Sequence, residues 1–214
     1  ANTKNRSHTI EADITMPEKG GEGVLVAIGG SSGGYSLYVQ DGKLVYHFNW
    51  FDEIRTIITS SEPVPAGKST VRFDFAYDGK SGELGKGGTG TLFINDKKVG
   101  ESRIEKTVPG RFGIDTFGVG MDTGSPVSNT YKPPFAFTGT IHTDGYTVYD
   151  AVAAKHGLRH AGCLAHIRRK LVAARDDHPR VTAWILLITG RIYQTETRLR
   201  EQRFPTKAEL DAIA

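Results

Sequence analysis

Cys163 and His166 are a pair of side chains whose types and spacing suggest chemistry. They lie one helical turn apart, which would suit two ligands of one metal ion. A structural zinc site needs four ligands, however, and Cys163 is the only cysteine among the 214 residues. We therefore expect no metal site and no cofactor, and we interpret Cys163 as a packed thiol beside a partly exposed histidine.

A second group of chemically suggestive residues is cationic. Residues 151–175 contain Lys and Arg but no Asp or Glu. Such a stretch can neutralise phosphates and bind nucleic acid weakly and without sequence preference, and Arg168, Arg169 and Lys170 would carry that binding. The alternative is a solvated helix face whose cations pair with neighbouring acids. We favour this alternative because the charge excess is modest.

Three aromatic side chains suggest a binding surface for a sugar. Tyr35, Tyr46 and Trp50 lie in β-rich sequence and could form a stacking platform for a glycan. The simpler interpretation, which we favour, is that they pack in the core or on a sheet face. Similarly, Asp122 could bind calcium, but we expect it to accept a hydrogen bond across its own loop, 116–128.

The elements that position these residues differ between the two parts of the chain. Residues 8–141 show the period of two that is typical of half-buried strands. In one predicted strand the apolar side is formed by Val71, Phe73, Phe75 and Tyr77. Asp41-Gly42 and Asn95-Asp96 predict tight hairpin turns. Many short strands with glycine-rich turns predict a mainly β fold, an antiparallel β-sandwich.

After Ile141 the composition and the periodicity change. Residues 1–141 contain 22 of the 26 glycines, and most of the positive charge excess lies in residues 142–214. Spacing typical of a helical face follows in several segments, one of them opened by Pro179. The apolar stripe of that segment consists of Val181, Trp184, Ile188 and Ile192. We therefore predict two domains, a sandwich over 1–141 and a short helical tail over 142–214.

The chain gives no indication of a membrane or a secreted location. It contains no run of 18 apolar residues, so no membrane span is expected. The first residues, from Ala1 to Arg6, lack the apolar stretch of a signal peptide, and a cytoplasmic location is expected. Because an initiator Met is absent, the alternative expectation is that the N-terminus is a truncation of a longer reading frame.

The first part of the chain resembles the non-catalytic C-terminal region of bacterial arylsulfatases over about residues 5–141. The segments that carry this resemblance are Asn5–Ile10, Glu22–Val26, Gly33–Val39, Asp41–Tyr46, Pro65–Lys68, Leu84–Gly88, Asp122–Ser128 and Pro134–Ile141. It implies a concanavalin-like or laminin-G-like sandwich. Sulfatases act through a formylglycine made within a Cys/Ser-x-Pro-x-Arg motif, and this chain has no such motif. The resemblance therefore places the parent activity, sulfuric ester hydrolysis, outside this chain.

The second part, about residues 142–214, resembles the DDE transposases of insertion sequence family sixty-six. The segments that carry this resemblance are Asp144–Asp150, His160–Lys170 and Ile192–Glu196. By this resemblance Asp144 is the second of three carboxylates that hold two catalytic metals. The first and third have no counterpart here, so Asp144 is vestigial and no intact catalytic set is expected.

Together these resemblances predict a gene fusion without its own enzymatic activity. We expect an accessory β-sandwich of an arylsulfatase that carries an inactive transposase remnant. The alternatives are a module that binds carbohydrate or sulfated glycans and a fragment that binds DNA. The tail lacks the sheet on which it would pack in a transposase, so its apolar stripe favours self-association.

The junction itself predicts a weakened strand. After Ile141, one register turns His142 and Asp144 inward, and the other turns Thr143, Gly145 and Thr147 inward. Neither register gives the strand a face made only of apolar side chains.

Overall fold

The computed structural model describes residues 3–110, 117–143, 159–162 and 179–201. The chain divides into two compact units, Ala1–Gly162 and Cys163–Ala214. The first unit contains the β-strands of the described residues, and the second contains one described helix. The prediction of a mainly β, antiparallel sandwich with a helical segment near the C-terminus is confirmed.

The strands of the first unit are β1 (His8–Met16), β2 (Gly23–Gly30), β3 (Gly33–Gln40), β4 (Lys43–Trp50), β5 (Ile54–Pro63), β6 (Gly67–Tyr77), β7 (Lys86–Ile94), β8 (Lys97–Lys106), β9 (Phe117–Val119), β10 (Met121–Asp122), β11 (Phe135–Ala136), β12 (Thr140–Thr143) and β13 (Arg159–Gly162). One sheet has the order β13-β12-β1-β6-β7-β8. The other has the order β10-β11-β2-β3-β4-β5, and β9 also pairs with β2. Most neighbours are antiparallel, whereas β12 with β13 and β11 with β2 are parallel.

Both predicted hairpin turns are confirmed by their backbone angles. Asp41 and Gly42 have φ values of 51° and 73° between β3 and β4. Asn95 and Asp96 have φ values of 49° and 63° between β7 and β8. Two consecutive positive φ angles match the right-handed twist of the strands that such a turn joins, which explains why Asp-Gly and Asn-Asp occur there.

The main core lies between the two sheets. Val71, Phe73 and Phe75 of β6 are buried as the period of two predicts, and Tyr77 packs partly buried against the same core. Across the sandwich, the ring of Tyr46 in β4 stacks on that of Phe73, with centroids 3.5 Å apart and an interplanar angle of 8°. This pair ties the middle strands of the two sheets together.

At the junction, the described part of β12 does not take the register that turns His142 inward. Ile141 of β12 pairs with Ile14 of β1, and both side chains belong to the core. His142 consequently faces outward, where its Nε2 lies 2.9 Å from Thr15 Oγ1. The continuation of the strand after Thr143 lies outside the described residues.

Strand β13 was not expected from the sequence. It pairs with β12 in parallel, with Thr140 opposite Arg159 and Thr143 opposite Gly162. The first compact unit therefore extends past residue 141. The predicted domain bounds, which follow the sequence resemblances, stay a prediction.

The described helix of the second unit, α1, spans Pro179–Glu201 and begins at the proline that was expected in its first turn. Of the predicted apolar stripe, Trp184 is 69% exposed and Ile188 is 37% exposed. The side chains of Val181 and Ile192 lie outside what the structure describes. No helix in the described part of the chain is long and apolar enough to cross a membrane.

Candidate functional site

A small cleft, with a volume of about 20 Å³, opens between the two sheets, where the N-terminal segment meets the end of β8. Its apolar wall consists of Tyr35, Tyr46, Phe48, Phe75, Ile104 and Val108. His8 also lines it, and the remaining lining residues are Thr3, Lys4, Asn5 and Thr107. The cleft is mostly apolar with a few polar groups, but its volume suits about one water molecule and is far below that of a small-molecule site.

The aromatic side chains of this cleft form a connected set. Tyr35 and Tyr46 stack with centroids 5.9 Å apart and an interplanar angle of 25°. The ring of His8 lies 6.4 Å from that of Tyr35 and 5.4 Å from that of Phe75. Tyr35 and Tyr46 are almost fully buried, and burial raises the pKa of both phenols. They are therefore part of a cleft wall.

The three predicted glycan-binding residues are only partly brought together. Tyr35 and Tyr46 share the cleft, whereas Trp50 packs edge-on against Phe51 at 5.2 Å. Lys106 Nζ lies 5.0 Å from the centre of the Trp50 ring, in the geometry of a cation–π contact. Trp50 does not line the cleft, so these three side chains do not form one exposed stacking platform.

His8 is the polar residue of the cleft that sequence analysis missed. Its Nδ1 lies 3.2 Å from the carbonyl oxygen of Arg6. Its Nε2 is buried and has no hydrogen-bond partner. Burial lowers the pKa of the imidazole, and the bond to Arg6 opposes this effect. A pattern did exist in the sequence, because His8 stands in phase with the inward-facing Ile10 and Ile14 of β1.

A second group of side chains, of types that occur in catalytic sites, lies on the sheet that contains β3 and β4. It lies on the face opposite to the cleft. We call it the Ser128 cluster, which consists of Tyr38, His47, Ser128 and Thr130. His47 Nδ1 lies 2.8 Å from Ser128 Oγ, and the Tyr38 hydroxyl lies 2.8 Å from Thr130 Oγ1. The loop that carries Ser128 and Thr130 is thereby held on β3 and β4.

The Ser128–His47 contact has the distance of a catalytic dyad, but its hydrogen bond runs in the opposite direction. His47 Nε2 lies 3.4 Å from Arg55 Nη1, which can only donate, so Nε2 is the acceptor and Nδ1 carries the proton. Nδ1 therefore donates to Ser128 Oγ. General-base catalysis needs an unprotonated nitrogen that takes the serine proton. Ser128 and His47 are also both fully buried, so this contact stabilises the loop.

Asp122 accepts a hydrogen bond across its own loop from Val127, as predicted, and a second one from Tyr131. Its Oδ2 lies 2.6 Å from the Tyr131 hydroxyl and 3.3 Å from the backbone nitrogen of Val127. Burial, followed by the bond to Asp122, raises the pKa of Tyr131 far above its ordinary value. Tyr131 is thus a neutral donor at neutral pH.

The remaining predicted site residues lie outside the described residues. These are Asp144, Arg168, Arg169 and Lys170, together with Cys163 and His166. Within the described ranges, no group of three or more His, Cys, Asp or Glu side chains is placed to hold a metal ion.

The comparison with protein families concerns the C-terminal part of the chain. Residues 125–213 match the model of the Transposase IS66 family, which confirms the resemblance of the tail to these transposases. The match begins inside the sandwich, before the predicted boundary at residue 141. It thus includes Ser128 and Tyr131 as well as β11 and β12. Among curated proteins, none matches the chain.

Two solved structures show a distant likeness to the sandwich. The mouse laminin alpha1 chain, domains LG4-5, is 12% identical, with a TM-score of 0.44 over 65% of this chain and 34% of that chain. A native heptameric SAP-like pentraxin from Limulus polyphemus is 15% identical, with a TM-score of 0.38 over 74% of each chain. This chain thus spans about a third of the laminin structure. Both TM-scores lie below 0.5, so the description of the fold rests on the two hydrogen-bonded sheets of this chain.

Proposed function

We propose that this chain is a non-catalytic accessory β-sandwich of an arylsulfatase that carries an inactive transposase remnant. The observation that carries the proposal is that the transposase-matching segment contributes to the sandwich interior. Val127 and Ser128 are fully buried, and Phe137 and Ile141 are 3% and 9% exposed. A segment that fills a core acts as scaffold, because its side chains are closed off from substrate.

The arylsulfatase parentage rests on the sequence motifs of residues 5–141. Several of these motifs coincide with structural requirements of the sandwich. Gly33 and Gly34 open β3 in one of them, and a Cβ on Gly34 would lie 2.1 Å from the carbonyl oxygen of Ile28. Such motifs support descent from one kind of sandwich but carry no chemistry of their own.

Turnover assays on the purified full chain test this proposal. We expect no hydrolysis of a chromogenic aryl sulfate above the blank rate, and no nicking of supercoiled DNA with Mg²⁺ or Mn²⁺. The physical reason is that one carboxylate, Asp144, cannot hold two metal ions at the separation that phosphodiester cleavage requires.

Three variants make the assays decisive. DNA nicking that Asp144→Asn abolishes and Asp150→Asn preserves would contradict an inactive remnant. Aryl sulfate turnover that survives Asp144→Asn but is lost in His47→Gln would contradict a non-catalytic sandwich.

Weak DNA binding is the alternative that the cations of residues 151–175 support. We expect it to be absent at physiological salt, because three cations release few counterions. A DNA mobility shift that persists there, and that neutralisation of Arg168, Arg169 and Lys170 removes, would favour this alternative. Lys97→Gln with Lys98→Gln is the control, since those cations pair with Glu62 and Glu101.

We also propose that helix α1 mediates self-association. Trp184, Leu187 and Ile188 are exposed, and their i, i+3, i+4 spacing places them on one helical face. Covering this face with a second copy would remove apolar surface from water. In sedimentation velocity, we expect the weight-average mass to rise above 23.3 kDa with concentration.

The matched variants for this experiment lie on the same helix. Trp184→Lys should hold the chain at the monomer mass, and Gln194→Lys, at an exposed polar position, should not. If the unmodified protein had the mass of a single chain at every concentration, self-association would be refuted.

A further inference from the structure

His47 holds a loop on the outer face of the sheet that contains β3 and β4, and it uses both of its ring nitrogens. Nδ1 donates to Ser128 Oγ at 2.8 Å, and Nε2 accepts from Arg55 Nη1 at 3.4 Å. The same Arg55 nitrogen donates to the carbonyl oxygen of Val127 at 2.8 Å. Val127 and Ser128 belong to residues 123–134, which we call the β10–β11 loop. One neutral imidazole therefore joins β4 and β5 to this loop.

The charges near His47 favour its neutral form while the loop is closed. In the described part of the chain, the neighbouring elements and the loop carry these charged and titratable side chains: Arg55 and Asp52 on the β5 side, Tyr38 on β3, and Asp122 with Tyr131 at the loop. Each of the two carboxylates has another partner, since Asp52 pairs with Arg55 and Asp122 accepts from Tyr131. Burial raises the pKa of Tyr38, which thus stays neutral in acid.

A proton on Nε2 would turn the contact with Arg55 from attraction into repulsion. Both groups would then be donors and cations, 3.4 Å apart and without an acceptor between them. This cost, together with burial as the larger cause, is why the pKa of His47 falls from 6.5 to about 4. In an open loop, water reaches the imidazole and Arg55 can move away, so the pKa returns toward its ordinary value. Acid therefore favours the open loop.

We propose that His47 is an acid-sensitive latch, which holds the β10–β11 loop on the sheet while neutral and releases it when Nε2 takes up a proton. The loop covers an apolar patch formed by Val24, Ala27, Tyr38 and Val45, which are buried together with Val127 and Tyr131. Its release exposes this patch, and exposed apolar surface favours association. The latch goes beyond the scaffold role proposed for residues 125–143, because only the loop opens and the rest of the sandwich stays folded.

Hydrogen exchange on the full chain at pH 7 and pH 5, corrected for the intrinsic rate at each pH, tests the latch. The amide of Thr130 reports on the loop, because it donates to Ser128 Oγ at 3.0 Å. We expect its open population to rise about twentyfold from pH 7 to pH 5, as the pKa shift of His47 implies. At pH 5 this opening should hardly respond to low guanidinium concentrations, since a local opening exposes little surface. The opening of Tyr46 in β4, which requires global unfolding, should respond strongly.

Two variants assign the effect to the imidazole. Glutamine can donate and accept but does not titrate, so His47→Gln should abolish the rise at Thr130, whereas His142→Gln should keep it. The readout is the change with pH, so it remains decisive even where His47→Gln loosens the loop at pH 7. A rise that persists in His47→Gln would overturn the proposal. Opening of Thr130 and Tyr46 with the same free energy and the same guanidinium dependence at pH 5 would also overturn it, because the proton would then act only through global unfolding.

Discussion

A chain that ends after Gly124 is expected to show no cooperative unfolding transition. It lacks four buried apolar side chains of the sandwich, namely Val127, Tyr131, Phe137 and Ile141. Each such side chain contributes about 1.5–3 kcal/mol when fully buried. Their sum is comparable to the whole free energy of unfolding of a typical domain, about 5–15 kcal/mol. Strands β11 and β12 are lost as well, which leaves β1 and β2 without one neighbour each.

The matched control is a chain that ends after Gly162, the last residue of the first compact unit. It retains all four side chains and β13, so guanidinium unfolding followed by far-UV circular dichroism should remain a single transition. The contradictory outcome is cooperative unfolding of both truncated chains with similar midpoints. Residues 125–143 would then be dispensable for the sandwich.

Lowering the pH from 7 to 5 is expected to cost about 2 kcal/mol of folding stability through His47 alone. Burial, and secondarily the charge of Arg55, lowers the pKa of His47 from 6.5 to about 4. Because the folded pKa is below the unfolded value, this contribution is fully present above pH 6.5. It is lost as the pH falls toward 4, where the total loss reaches about 3 kcal/mol. The added proton would sit on Nε2, against the Arg55 guanidinium.

Guanidinium unfolding at pH 7 and pH 5 measures this effect before most carboxylates titrate. His47→Gln should remove most of the pH dependence, at a cost in stability at pH 7. His142→Gln, which removes a histidine from the outer face of β12, should leave it intact. His8 acts in the same direction, since burial also lowers its pKa. A pH dependence that is unchanged in His47→Gln would refute this assignment.

The local features of the fold were predictable because they depend on neighbouring residues. Asp41-Gly42 and Asn95-Asp96 specify hairpin turns through their own backbone preferences. The buried face of β6 follows from alternation alone. Pro179 likewise begins α1 because its fixed φ suits a first helical turn.

Features that depend on distant pairing were not predictable. Arg159–Gly162 contains no β-branched residue, and its strand exists through parallel pairing with β12. The Ser128 cluster joins β3 and β4 to a loop much later along the chain. His47 and Ser128 are separated by 81 positions in the sequence. The cleft beside His8 forms from five separate strands and the N-terminal segment. Only the phase of His8 in β1 indicated that this histidine faces inward.

Native-state hydrogen exchange on the full chain tests most directly whether the transposase-matching segment is part of the sandwich. The amide of Phe137 donates to Gly120 O and that of Thr138 to Glu22 O, both at 2.8 Å. We predict that these amides open with the same free energy as Tyr46 in β4, as members of one cooperative unit. Fast exchange of Phe137 and Thr138, beside a fully protected Tyr46, would contradict the proposed role of residues 125–143.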